Sequence, residues 1–113
     1  MLSSDHRLPK EEISPLLRTG THVRSDIIEL VYKKTDSVPR FAFIVSTKVD
    51  KRATARNRMR RTMSESVRHL LTKAGPLDGI FIARRNMSDL KQTDVQVLIE
   101  GLLRHAGVLN TEL

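Results

Sequence analysis

The chain has 113 residues, 39% of them hydrophobic and 29% charged, with no cysteine and a net charge of +7. That is the composition of one small soluble domain able to bury a modest core, here with a sequence pI near 10.4 that calls for a polyanionic partner. It excludes disulfides and thiolate metal sites, and no apolar run reaches membrane-spanning length or forms the centre of a signal peptide.

Residues 1–6 read as a loose tail, and 109–113 as a second. "PKEEISPLLRTG", Pro9 to Gly20, predicts a short helix with Glu11 and Glu12 at its start and Gly20 as its stop. Ile13, Leu16 and Leu17 share one face, and Pro15 is tolerable only near the first turn. A short strand around Thr21 to Arg24 precedes a second over Asp26 to Lys34, in which Ile28, Leu30 and Tyr32 alternate with Glu29, Val31 and Lys33. "TDSVP" is a loop, and Arg40 to Ser46 is a strand apolar enough to be buried on both faces.

Asp50 is placed to cap the next helix. Met59, Met63, Val67 and Leu70 form its apolar face, and Arg58, Arg61, Glu65 and Arg68 lie opposite. Arg56 and Arg60 lie nearer the apolar flank, and Gly75 and Pro76 end the segment. Gly79 to Arg84 is another apolar strand. The last helix opens on a capping box from Thr93 to Gln96, carries Val95, Leu98, Ile99, Leu102, Leu103 and Ala106 as its stripe, and stops at Gly107. The order α, β, β, β, α, β, α predicts one α+β domain over residues 1–113. The strand–helix–strand unit in its middle should be parallel, and by the usual rule right-handed.

No catalytic or metal constellation is present. His6, His22, His69 and His105 have no ligand spacing, the acids form no dyad, and no Gly-rich phosphate loop occurs. The informative stretch is Lys48 to Arg61, with seven Lys/Arg and one acid, a net +6 in fourteen residues. A merely solvated helix mixes signs at i, i+4. Lys48, Lys51, Arg52, Arg56, Arg58, Arg60 and Arg61, with Arg68 further along, therefore point to a nucleic acid. A strand follows the basic helix where a helix-turn-helix needs a helix, which favours structured RNA over duplex DNA. A single Tyr and three Phe argue against extensive base stacking.

"FIVSTKVDKRATARNRMRRTMSESV", Phe43 to Val67, resembles the core signature of the bacterial ribonuclease P protein component. The matching residues are Ser46 and Lys48 after a strand, then Arg56-Asn57-Arg58 and the basic pair Arg60-Arg61. "RLPKEEISPLLRTG" and "DGIFIARR" fall in the expected order, so the resemblance spans about Arg7 to Val108. It implies an αβββαβα sandwich of one mixed sheet, ribosomal protein S5 domain 2-like, with a left-handed crossover in place of the usual hand.

It also implies a cytoplasmic ribonucleoprotein endonuclease that removes the 5′ leader of precursor tRNA. The RNA subunit would carry the chemistry with Mg²⁺, and the protein would hold no catalytic residue, no metal of its own and no obligate protein partner. Asn57 and the arginines would contact the catalytic RNA. Ile13, Leu17, Tyr32 and Ser46 would border the leader cleft. Here the resemblance departs from the family pattern, because Ile13 and Leu17 stand where the family typically carries phenylalanines. Thr47 and Asp50 stand where a lysine and a glycine are common. Phe41, Phe43 and Phe81 read as core. The alternative is a non-catalytic structured-RNA-binding protein such as a ribosome-associated factor. A third class is a protein that binds anionic membranes or compacts DNA.

Overall fold

A computed structural model describes residues 2–109. Helix α1 spans Ile13–Thr19, strands β1 Thr21–Arg24, β2 Ile28–Lys34 and β3 Arg40–Ile44, helix α2 Ala53–Arg68, strand β4 Leu77–Ala83 and helix α3 Gln92–His105. The predicted order of elements is present. The strands form one mixed sheet in the order β1-β2-β4-β3. β2 runs antiparallel to β1 and β4, and β3 runs parallel to β4.

Strand alternation separates two cores. Ile28, Leu30, Phe41, Phe81 and Leu77 face α2 and α3, where they meet Met59, Met63, Val67, Val95, Ile99 and Leu103. Val31 and Ile80 face the other way and pack with Leu8, Leu16, Ile13 and Leu17. Each fully buried aliphatic or methionine side chain contributes about 1.5–3 kcal/mol. Like-charge neighbours on an exposed helix cost only about 0.2–0.5 kcal/mol per pair. Met59, Met63 and Val67, all at most 2% exposed, therefore hold α2 in place against the repulsion among its arginines.

The hand of the crossover follows from L-chirality. The Leu8 N–H donates to the Phe41 carbonyl (2.9 Å), so Phe41 turns its peptide groups to the outer edge of β3. Arg40, Ala42 and Ile44 therefore turn theirs to β4. With L-residues, an upward strand seen with Ala42 toward the viewer directs Ala42's N–H and C=O to the right. Ala42 faces α1, so β4 lies right of β3 from that side and left of it from the α2 side. The β3–α2–β4 crossover is left-handed, against the usual rule.

Several local expectations are corrected. The segment before residue 7 is docked: Leu2 is buried, and His6 Nδ1 lies 2.8 Å from the Pro39 carbonyl. Leu109 is likewise buried and bridges to Ala74, while residues 110–113 of the expected tail lie outside the described residues. Glu11 and Glu12 sit in a 3-10 turn, Lys10–Glu12, ahead of α1. Pro15 is the third residue of α1, where its missing N–H costs nothing. Gly20 has an ordinary extended backbone. Its role is close approach, since a Cβ there would lie 2.8 Å from both the Leu16 carbonyl oxygen and Val31 Cγ1.

β3 ends at Ile44 rather than Ser46, and β4 begins at Leu77 rather than Gly79. Thr93 lies inside α3. Asp94 instead accepts the Lys91 N–H (3.1 Å), two residues earlier than the expected box. Gly107 does stop α3, at φ 77°, with the Val108 N–H donating to the Leu103 carbonyl.

Candidate nucleic-acid interface

α2 starts at Ala53 because Ala55, Met59, Met63 and Val67 recur on one face against the sheet. That register fixes where the cations point. Arg58 and Arg61 are exposed, and Arg56 and Arg60 are half-buried on the flanks, as the projection predicts. Lys48 and Lys51 stand exposed on the turn before the helix. Among the described residues, the side chains of Lys48, Lys51, Arg58 and Arg61 have no partner, and these four form a free cationic surface on α2 and the turn before it.

The other cations of the basic run, and Arg68 beyond it, have partners within the chain. Arg56 Nη1 donates to the Asp50 and Lys51 carbonyls at 3.1 and 2.8 Å, clamping the loop onto the helix. Arg60 donates to the Asn57 side-chain oxygen. Arg68 pairs with Glu65 (2.9 Å), and that pairing draws the Glu65 carboxyl down to about 2. Asp50 does not cap α2 in the expected way. It accepts the Arg52 guanidinium (2.9 Å), the Arg52 N–H (2.9 Å) and the Asn86 amide (2.8 Å), and the Arg52 bonds hold it well below the usual carboxylate range. It thereby ties the basic loop to the connection after β4.

The opposite face of the sheet is covered only in part by α1. Ile13 and Leu17 lie there, half-buried over Val31 and Ile80, with Ala42, Ile44 and Ile82 also half-buried beside them. This leaves a half-exposed aliphatic face of the sheet beside α1. Tyr32 does not belong to it. Pleat alternation turns Tyr32 to the α2/α3 side, where it packs on the other core, and the β2 position facing α1 is Val31. Ser46 is exposed past the end of β3, and its carbonyl accepts the Val49 N–H (3.1 Å). The structure therefore joins Ile13 with Leu17, sets Ser46 at the mouth of the basic loop and separates Tyr32 from all three.

One cluster was not anticipated. Glu29, the second residue of β2 and 4% exposed, points to the α1 side. Its carboxylate meets His22 Nδ1 at 2.6 Å, Arg84 at 3.2 Å and Arg24 at 3.7 Å. Burial works to raise its pKa, but the His22 hydrogen bond and the charges of Arg24 and Arg84 outweigh this, and the net shift is downward. The signal in the sequence was an acid inside an apolar strand. The Arg24–Glu29 register, which brings the partners to it, exists only once β1 and β2 pair. At the other end of the same face, Arg40 binds Asp78 and Glu12, at 2.9 and 2.8 Å.

The family model described as Ribonuclease P matches residues 2–107. The chain belongs to that family. The Ribonuclease P protein component of Xanthomonas euvesicatoria is 32% identical over 91 residues, covering 80% of this chain and 63% of that protein. The Xylella fastidiosa protein of the same name is 31% identical over 90 residues, covering 80% and 67%. The chain thus spans less than two thirds of the length of the Xanthomonas relative.

The fold matches that of solved ribonuclease P proteins. The Staphylococcus aureus protein superposes with a TM-score of 0.81 at 21% identity, covering 96% of this chain and all of that one. The Thermotoga maritima protein gives 0.79 at 20%, covering 88% and 96%. Within this ribonuclease P fold, no helix among the described residues is long and apolar enough to cross a membrane. Nor do the described residues contain a group of three His, Asp or Glu placed to hold a metal ion.

Proposed function

We propose that this chain is the protein subunit of a ribonuclease P. In this reading it binds the catalytic RNA through Lys48, Lys51, Arg58 and Arg61, and seats the 5′ leader of precursor tRNA on the aliphatic face beside α1. The observation that carries the reading is the unneutralised cationic surface on an anchored helix, in a chain whose family model is Ribonuclease P. Guanidinium groups on a rigid helix suit phosphate binding, because their forks match phosphate oxygens and little ordering remains on contact.

The phosphodiester chemistry belongs to the RNA in this reading, and its Mg²⁺ sits with the RNA. The protein positions substrate and neutralises phosphate, which lowers the metal concentration the RNA needs. Asn57 holds Arg60 through its side-chain oxygen and stands exposed on the same RNA-facing helix. The cellular location that follows is the cytoplasm.

Reconstitution tests the reading. The full chain, a bacterial ribonuclease P RNA and a precursor tRNA are combined at low Mg²⁺. The expected result is faster 5′ cleavage than by RNA alone, with the leader-bearing tRNA preferred over the mature form. No enhancement at any protein concentration overturns the assignment.

A further inference from the structure

β3 is an edge strand, and the N-terminal segment covers only half of that edge. Arg7 bridges to Phe41 and the Leu8 N–H bonds the Phe41 carbonyl. Two residues on, Phe43 turns its own N–H and carbonyl to the same outer edge, by the same alternation that points Phe41 outward. Nothing among the described residues pairs with them. At this point the chain leaves a cavity of about 340 Å³ between β3, the N-terminal segment and α2. Its walls include Arg7, Leu8, Phe43, Asn57, Arg60 and Arg61.

The Phe43 ring is only half-buried, unlike Phe41 and Phe81, which are at most 1% exposed. It stacks on Phe81 at 6.0 Å between centroids with the planes 10° apart. The cavity thus combines an aromatic side chain stacked on the core, an apolar floor, an unpaired peptide donor and acceptor, a side-chain amide and three guanidinium groups on the rim.

We propose that this cavity takes one unstacked nucleobase of the RNA that α2 binds, with the ring of Phe43 against the base, the Phe43 peptide edge reading its polar groups and Arg7 and Arg61 on the flanking phosphates. This rests on the RNA-binding reading above and adds a base-recognition subsite at the outer edge of β3, beside α2. The chemistry is specific. A phosphate needs only the arginines and a lipid chain only the apolar floor, whereas a nucleotide uses the aromatic face, the amide edge and the cations together.

The test is an NMR titration of the full chain with each of the four ribonucleoside 5′-monophosphates and with inorganic phosphate, alongside binding of the full chain and its variants to a ribonuclease P RNA. Phe43→Leu keeps the apolar volume and removes the stacking face. Asn57→Ala alters an exposed wall and guards against misfolding of the first variant. The expected result is saturable shifts at Phe43, Leu8 and Asn57 with at least one nucleotide and none there with phosphate. Phe43→Leu should weaken RNA binding about tenfold, the loss of one base stack, with circular dichroism unchanged. Equal shifts from phosphate and from all nucleotides, or undiminished RNA affinity in both variants, overturn the subsite while leaving RNA binding intact. Failure of the unaltered chain to bind the RNA overturns the subsite together with the reading it rests on.

Discussion

Arg56 and Arg58 stand two positions apart on α2 and have different partners. Arg56 is tied to two backbone carbonyls of the preceding loop, while Arg58 faces solvent with no partner among the described residues. Their substitutions should separate accordingly. Arg58→Glu with Arg61→Glu should leave the circular dichroism spectrum and thermal midpoint nearly unchanged. It should reduce the slope of log K against log salt for RNA binding by about 2, since each lost phosphate contact removes roughly 0.7–0.9. Arg56→Ala should instead cost about 1–2 kcal/mol in urea unfolding, because it leaves two carbonyls without their charged donor. Loss of the fold in the double variant, or no loss of stability in Arg56→Ala, would contradict this division.

Glu29 belongs to the same level of detail. Its folded-state pKa is lowered, so its ionised form stabilises the native state. That contribution is complete above the unfolded pKa, near 4.5, and fades as the pH falls through the folded value. Glu29→Gln should therefore destabilise by about 1.5–3 kcal/mol at pH 7, the range for hydrogen bonds to a charged group, and by progressively less on acidification below pH 4.5. Urea midpoints for both proteins across this range give the check, and a gap that widens toward acid would reverse the sign.

Helix α1 is short, and one contact sets how closely its last turn approaches the sheet. Gly20 lets the last turn of α1 come against Val31, at a distance that leaves no space for a methyl group. Gly20→Ala should cost about 1–3 kcal/mol through overpacking, measured by denaturant unfolding, although its backbone angles suit any residue. A neutral result would mean that α1 can move off the sheet. α2 illustrates the opposite case, since its apolar stripe alone sets its rotation and hence which arginines face outward. That stripe was readable from spacing. The caps were not: Asp50 and Thr93 have the right chemistry, but Arg52, Asn86 and Lys91 compete in three dimensions for where the ends fall.

The half-exposed face beside α1 exists only as a product of the whole fold, built from the N-terminal helix and from β2, β4 and β3. Its lining is aliphatic, from Ile13, Leu17 and Val31 to Ile80 and Ile82. Under the proposed function, Leu17→Phe should add a stacking surface at a half-exposed position. It should raise the preference for leader-bearing over mature tRNA by at least severalfold, the effect of one base–aromatic stack. An unchanged preference would mean the leader does not touch α1.

The sequence by itself determined the element order, both helical stripes and the basic run, because each of these is a local pattern of spacing or charge. It also separated Arg58 and Arg61 from Met59, since a helix converts spacing directly into direction. Tertiary structure alone decided the rest. It set Tyr32 on the far side of the sheet from Ile13 and Leu17, because the register of a seven-residue strand assigns faces in pairs that no single residue reveals. It gathered His22, Arg24 and Arg84 around Glu29, and left Phe43 beside an open edge, through contacts up to 55 residues apart in the chain. The hand of the crossover was decided there too, since it depends on which edge of β3 meets β4 and which face meets α2, and no local spacing encodes either choice.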